Sequence, residues 1–340
     1  MTELHLIDIE NEDSLAKYLR DKKLLNPKDT LVVQLLSGGV SNRTVLVKIN
    51  QTYFVMKQGL SKLRVPSDWF SNPARIQREA LGMVALRSIL REDQIPKLIF
   101  SDETNNILMM EAIPQPHENF KTVLLKGKDE SKHIQDMALM LASIHKKTWK
   151  NNKYANEFLN TEFFYELRID PYFRYCVEKY PEYSKWFQKN IFSKLEIKNC
   201  LVHGDFSPKN MLVYKNELVL LDHEVIHYGD FAFDFGFVLT HLFLKSVHLA
   251  SESFLKNTIE FSNTYFNEMK DLVSLEDQER SLHYFLACLF ARVAGKSKTD
   301  YLGKEKEAKI KIVLNEMFTN EDSKINLEIL KTLFKKVQTC

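Results

Sequence analysis

The run Leu201-Val-His203-Gly-Asp205-Phe-Ser-Pro-Lys-Asn210-Met-Leu-Val-Tyr214-Lys-Asn-Glu217-Leu-Val-Leu-Leu-Asp222-His-Glu224 decides the fold. It holds two short apolar stretches, 211–214 and 218–221, separated by Lys215-Asn216-Glu217, which reads as a hairpin turn. In an antiparallel hairpin the first residue of one strand lies beside the last of the other, about 4.5–5.5 Å away. Asn210 precedes the first strand and Asp222 follows the second, so the hairpin is expected to gather them at one end. Asp205 lies on the loop entering that end and Glu224 just beyond it. One amide oxygen and two or three carboxylates converging on one point suit a hard cation such as Mg2+.

Upstream, strand-like runs at 31–36, 44–49 and 52–58 form a meander, joined first by Ser37-Gly38-Gly39-Val40-Ser41-Asn42-Arg43 and then by Asn50-Gln51. Adjacent glycines let backbone N–H groups approach an anion, although most such turns are plain hairpin turns. Alternation puts Val55 and Lys57 on one strand face; Lys48 has a similar local appearance on the preceding strand. Ser71-Asn72-Pro73 is expected to open a helix running to about Leu90, with Ile76, Met83, Leu86 and Leu90 on its buried stripe. Glu79 falls in that stripe. A carboxylate there needs a cation, and Lys57 is the expected partner, with Arg75 or Arg78 as the surface alternative. Two further strands, 97–101 and 107–110, complete a five-stranded antiparallel sheet with one helix.

After residue 112 the sequence becomes mostly helical. Helices are expected at 118–126, 130–148, 154–168, 181–195, 231–249, 251–272, 276–294 and near 322–337. The expectation is an α+β chain with an N-terminal sheet domain, 1–112, and a helical domain, 113–340. A first helix at 12–25 is expected to be peripheral.

Bulk properties narrow the class. At 340 residues the chain is long enough for two domains. Its 47 basic and 45 acidic residues leave a net charge of +2, which demands neither nucleic acid nor a membrane as partner. Cys176, Cys200, Cys288 and Cys340 form no C-x-x-C pair and read as free thiols in a reducing compartment. The N-terminus lacks a basic segment followed by an apolar run, so no signal peptide is expected and the location is expected to be cytoplasmic.

Together these motifs resemble the protein-kinase-like fold, and within it the aminoglycoside phosphotransferase/choline kinase/methylthioribose kinase superfamily of small-molecule kinases. His203-Gly-Asp205-x-x-x-x-Asn210 resembles its catalytic loop, 36–42 its phosphate-covering loop, and Val55-x-Lys57 with Glu79 its lysine–glutamate pair. The resemblance implies a bilobal fold and a reaction in which ATP, with Mg2+, phosphorylates a hydroxyl of a small molecule such as a sugar or amino alcohol. It implies Asp205 as base and Asn210, Asp222 and Glu224 around Mg2+. It places Gly38, Gly39, Ser41, Asn42, Val55, Lys57, Glu79, Met110, Glu111 and Ile113 around the nucleotide. Asp234 is implied as a support for the catalytic loop, and His203 as a packing residue. Arg168, Asp170, Tyr172 and Arg292 are candidates for the acceptor side.

The pattern departs from the subfamilies. Asp222-His223-Glu224 is similar to the methylthioribose kinase version, yet Asn210 is unusual there, and Arg292 is followed by Val293 where paired arginines are expected. The basic C-terminal segment Lys331 to Lys336 does not favour a polycationic aminoglycoside. A methylthioribose-type sugar kinase and an aminoglycoside phosphotransferase stay open as alternatives. So does a nucleotide-binding pseudokinase scaffold, against which the full set of Lys57, Glu79, Asp205, Asn210 and Asp222 argues. A metal hydrolase built on His203, Asp205 and Asp222 leaves the glycine turn, Lys57 and Glu79 without a role.

Overall fold

The structure is a computed structural model and describes residues 7–36, 39–65, 68–319 and 325–339. The chain divides into two compact units, Met1–His117 with Val219–Glu224, and Glu118–Leu218 with Val225–Cys340. Sequence alone set the expected division after residue 112, with no return of the chain to the first unit.

The first unit is built on an antiparallel sheet ordered β1-β2-β3-β5-β4, comprising β1 (Leu31–Leu35), β2 (Asn42–Ile49), β3 (Thr52–Gly59), β4 (Leu98–Asp102) and β5 (Ile107–Glu111). Asn50 at the β2–β3 turn takes a left-handed φ of 54°, a conformation asparagine tolerates well. Helix α1 (Glu12–Asp21) is capped by Asn11, whose side chain accepts from the Ser14 N–H. It is integral rather than peripheral. Leu15, Tyr18 and Leu19 pack into one core with Val45, Val47, Met56, Ile107 and Met109.

Helix α2 runs Arg75–Ile89 and starts later than the Ser71-Asn72-Pro73 signal suggests. Asn72 Oδ1 accepts from the Ala74 N–H instead, forming a turn ahead of the helix. That delay brings Arg75 into the first helical turn, one turn before Glu79. α2 packs beside β3, β4 and β5, with Ile76, Glu79, Met83 and Leu86 buried.

The second unit is mostly helical. Its helices are α3 (Phe120–Leu125), α4 (Ser131–Thr148), α5 (Asn152–Glu157), α6 (Glu162–Phe164), α7 (Tyr175–Lys179), α8 (Ser184–Asn190), α9 (Phe231–Leu249), α10 (Glu252–Met269), α11 (Leu275–Ala294), α12 (Lys304–Thr319) and α13 (Glu328–Thr339). The single helix expected at 154–168 is broken between Glu157 and Glu162. A wide π-helical segment, Tyr165–Arg174, follows α6 and contains Pro171. Proline has no N–H to donate, so the i→i−4 ladder is interrupted there and the wider turn takes over. α12 was not anticipated, and residues 322–324 of the expected tail helix lie outside the described residues.

α9 is the central helix, buried from Phe231 to Val247, and it packs on α11. Gly236 permits that approach. A Cβ there would sit 2.5 Å from the Phe285 backbone nitrogen, nearer than any side chain can come. No described helix is long and apolar enough to cross a membrane.

Short strands frame the loop quoted at the outset. β7 (Cys200–Val202) pairs antiparallel with β10 (His227–Gly229), a pair not expected from sequence. β6 (Glu118–Asn119), β8 (Met211–Tyr214) and β9 (Glu217–Leu220) form a sheet ordered β6-β8-β9. The hairpin turn is two residues, not three. Lys215 and Asn216 have φ of 49° and 61°, as a tight type I′ turn requires, and Glu217 joins the strand.

Candidate functional site

In the first unit, Lys57 is held between two acids. Its Nζ donates to Glu79 Oε1 at 2.6 Å and to Asp222 Oδ1 at 2.9 Å. Strand register fixes Lys57 between Thr44 on β2 and Leu108 on β5, and the α2 stripe fixes Glu79, which is 1% exposed. Burial disfavours the lysine charge, but Asp222 and Glu79 outweigh it and hold Lys57 above its ordinary range. Burial pushes Glu79 upward, against the pull of Lys57. Asp222 sits at φ 68°, a left-handed conformation that costs a non-glycine residue energy and is concentrated at functional sites.

Glu224 lies in the same unit. Ligand oxygens of Glu79, Asp222 and Glu224 lie within 4.8 Å of one another, and such an oxygen-rich set suits a hard cation. Glu224 also has a second task. Its Oε2 accepts from Arg75 Nε at 3.1 Å and from Asn42 Nδ2 at 3.0 Å. Arg75 is fully buried. Its remaining nitrogens donate to the carbonyls of Ser41, Ser71, Asn72 and Leu60, and to Asn42 Oδ1 at 3.3 Å. One guanidinium therefore ties the loop at Ser41 and Asn42 to Glu224. Arg75 was weighed from sequence only as a surface partner of Glu79. The available signal was its position four residues before Glu79, on the same face of the helix.

Other nucleotide-side candidates fall as follows. Gly38 lies outside the described residues, and a Cβ on Gly39 would meet the Asn42 carbonyl oxygen and Thr44 Oγ1 at 3.9 Å, ordinary contact distance. Ser41 and Asn42 are buried. Val55 is paired with Met110 across β3 and β5. Glu111 is exposed and Ile113 half-buried. Lys48 lies against the Tyr53 ring, 5.2 Å from its centre, and meets neither Glu79 nor Asp222.

In the second unit, Asp205 stands on a loop fixed from beneath. The N–H groups of His203 and Gly204 donate to Asp234 Oδ2 and Oδ1 at 2.6 and 2.8 Å. Asp234 is fully buried at the start of α9. Gly204 has φ 78°, and a Cβ there would meet the Val225 carbonyl at 2.9 Å, so only glycine fits. His203 Nδ1 accepts from the Asp205 N–H at 3.2 Å, which leaves its ring as a support for the loop.

The Asp205 carboxylate is oriented by two donors. Asn210 Nδ2 reaches Oδ2 at 2.7 Å and Arg168 Nη2 reaches it at 2.8 Å. Arg168 comes from the π-helical segment, and it also donates to the Gly204 and Leu167 carbonyls. Arg168, expected toward the acceptor, is thus bound into the loop that carries Asp205. Tyr172 meets Arg292 at 3.4 Å. Asp170 does not join them. It pairs with Arg174 on the surface.

Asp234 carries a pH consequence. Burial pushes its carboxyl up, but the His145 hydrogen bond and charge and the Gly204 N–H bring it below the ordinary carboxylate range. A depressed folded value means stability that is present above the unfolded value and lost as pH falls through the folded one. Urea unfolding measured from about pH 6 to about pH 3 is expected to show a shallower acid-side loss for Asp234→Asn than for the wild type, from a lower starting stability. Parallel pH profiles for the two proteins would contradict this assignment.

The family model described as the phosphotransferase enzyme family (APH) matches residues 32–261. Methylthioribose kinases 2 and 1 of Oryza sativa subsp. japonica are each 22% identical over 267 residues, covering 69% of this chain and 62% of theirs. The chain thus aligns with less than two thirds of the length of these relatives. Among solved structures, a putative aminoglycoside phosphotransferase from Ralstonia eutropha matches at 14% identity with a TM-score of 0.52, over 96% of this chain and 98% of that one. LicA in complex with AMP matches at 16% and 0.50, over 96% and 98%. A streptomycin–ATP–APH(2")-IIa ternary complex matches at 17% and 0.50, over 88% and 91%. These likenesses bear on the fold, which agrees with the α+β architecture expected from sequence. Since the family model spans well over half of the residues, this chain belongs to the APH phosphotransferase enzyme family.

Proposed function

We propose that the protein is an ATP-dependent phosphotransferase that moves the γ-phosphate to a hydroxyl of a small molecule. The observation that carries the reading is Lys57 Nζ bonded to both Glu79 and Asp222. A buried lysine set between two acids is a positioned cation for phosphate oxygens, and phosphoryl transfer depends chiefly on such positioning and charge neutralisation. The complexes of LicA with AMP and of APH(2")-IIa with streptomycin and ATP, similar in fold, support an adenine nucleotide as donor.

In this reading Asp205 accepts the proton of the acceptor hydroxyl. The acceptor oxygen forms a bond to the γ-phosphorus, the bond from that phosphorus to the β–γ bridging oxygen breaks, and ADP leaves. Asn210 holds the Asp205 carboxylate in place, and Lys57 neutralises phosphate oxygens. Asn210 and Asp222 are the residues proposed to hold Mg2+, with Glu224 as a further carboxylate. That ion, when bound, would offset charge on the phosphates. Sugars and amino alcohols are the acceptor classes to screen first.

ATP with Mg2+ is expected to raise the unfolding free energy of the wild type by about 2.7 kcal/mol at a hundred times its Kd. Lys57→Met should lose most of that increment when compared with its own nucleotide-free form. The check is thermal unfolding with and without nucleotide, coupled to ADP release over an acceptor panel. Equal nucleotide protection in Lys57→Met would sink the donor-site assignment. Protection that ignores Mg2+ and is accompanied by no turnover would mark a scaffold instead.

A further inference from the structure

Beyond Arg168, buried Lys245 and half-buried Arg292 stand together in the second unit. The Arg168 guanidinium lies 5.9 Å from the Tyr172 ring centre and 5.7 Å from that of Phe237. The Tyr172 hydroxyl and Ser297 Oγ both accept from Arg292 Nη1, at 3.4 and 2.7 Å. Lys245, on α9 and 1% exposed, donates among the described residues to the His241 carbonyl, at 3.1 Å, and lies 5.4 Å from the Tyr301 ring centre. Lys121 approaches the same ring at 5.4 Å.

The local acids are already engaged. Asp300 is taken by Lys121 at 2.8 Å and Asp205 by Arg168 and Asn210. Neither Lys245 nor Arg292 forms an ion pair among the described residues. Burial, then Lys121 and Arg292, bring Lys245 down to about 7, with Asp300 opposing. His241 lies well below its ordinary range through burial and then Arg292, Lys245, Lys209 and Arg168.

Three polar atoms beside these cations are buried without a hydrogen-bond partner among the described residues: Arg292 Nε, Thr299 Oγ1 and Tyr301 Oη. Thr299 is itself 6% exposed, and its N–H donates to the Arg292 carbonyl at 3.2 Å, which folds this segment back onto the last turn of α11. Buried polar groups in native proteins nearly always have partners, and a buried cation without a counter-charge is costly. A packing role for Lys245 accounts for its stem, but not for orphaned donors on three neighbouring residues.

We infer that this cluster is an anion subsite and that the acceptor is a hydroxyl compound bearing a carboxylate or phosphate group, neutralised by Arg292 and Lys245 and hydrogen-bonded by Thr299 and Tyr301. The identity of the ligand as acceptor rests on the phosphotransferase reading; the anion subsite does not. The run Asp205–Arg168–Tyr172–Arg292 links the subsite to the proposed reacting carboxylate. A polycationic acceptor would meet like charge there.

The test is binding, not turnover. Full-length protein is unfolded thermally in inorganic phosphate, in acetate, and in sodium chloride of equal ionic strength. It is done in the Lys57→Met background, so that phosphate has no nucleotide-side lysine to occupy. At least one anion is expected to raise the melting temperature above that in chloride. Phosphate alone doing so marks a phosphate ester, and acetate alone a carboxylate; either sustains the inference. Arg292→Gln should weaken the effective anion by at least about tenfold, the size expected for one charge-assisted contact. Thr299→Val keeps the side-chain volume and should weaken it less, and it carries the test if Arg292→Gln does not fold. No protection beyond chloride, or full protection in both variants, overturns the subsite. Turnover confined to cationic or neutral acceptors overturns the ligand's identity as the acceptor. Anion protection lost in Arg292→Gln, with no ADP release on any acceptor, would instead leave the subsite standing and refute the phosphotransferase reading.

Discussion

Asp205→Ala is expected to lower acceptor-stimulated ADP release by about 10^2–10^4-fold, the usual contribution of one positioned proton acceptor. Nucleotide-dependent stabilisation should survive, because Lys57 and Glu79 belong to the other compact unit. The loop should also survive. It is fixed by the His203 and Gly204 N–H groups on Asp234 and by the Arg168 bond to the Gly204 carbonyl, none of which uses the Asp205 side chain. What the substitution removes is the carboxylate that Arg168 Nη2 and Asn210 Nδ2 orient. Asp205→Asn is the closer isostere. It keeps an oxygen for Arg168 but gives up the proton-accepting charge, so it should fail as badly in turnover while unfolding like the wild type. Near wild-type turnover in either variant would remove Asp205 from the proposed role.

Arg75→Met is expected to cost about 3–5 kcal/mol of stability, the range for stripping one partner from a buried ion pair. Arg75 is fully buried and the Glu224 side chain is 7% exposed, so little solvent is available to take over. The loss should appear as a lower urea midpoint with an unchanged slope. Adding Glu224→Gln should recover part of it, because the orphaned carboxylate is then gone. The double-mutant cycle should therefore be non-additive by 0.5 kcal/mol or more, as for groups in direct contact. Additive losses would mean that Glu224 and Arg75 act independently, leaving cation binding as the sole role proposed for Glu224.

The two results would probe different kinds of information in the chain. The sheet and the Lys57–Glu79 pair were legible beforehand because each rests on a local rule, whereas the Asp234 support of the loop was implied only by the family resemblance. Val55 and Lys57 share a face by strand alternation, and Glu79 is out of place on an apolar helical stripe. Less regular local structure was harder to see. The break between Glu157 and Glu162 and the π-helical segment around Pro171 interrupt a helical pattern that looked continuous, and α12 lacks a sharp apolar stripe. The two-residue turn at Lys215-Asn216 needed left-handed backbone at both positions, which Lys215 does not advertise.

By itself the sequence determined which residue types stand at which register: a strand lysine, a helix glutamate, and a glycine-bearing loop with Asp205 and Asn210 ahead of a hairpin. Those follow from periodicity and turn chemistry over a few neighbouring residues. Only the tertiary structure decided which charge meets which. Arg75 could face Glu79 one turn away, yet it reaches Glu224, 149 positions on. Arg168 looked free to meet an acceptor, yet it orients Asp205. Coulomb attraction has no sequence range, and a chain with 47 cations and 45 acids allows many pairings. Packing selects among them by fixing which groups are buried together, because there an unpaired charge costs most.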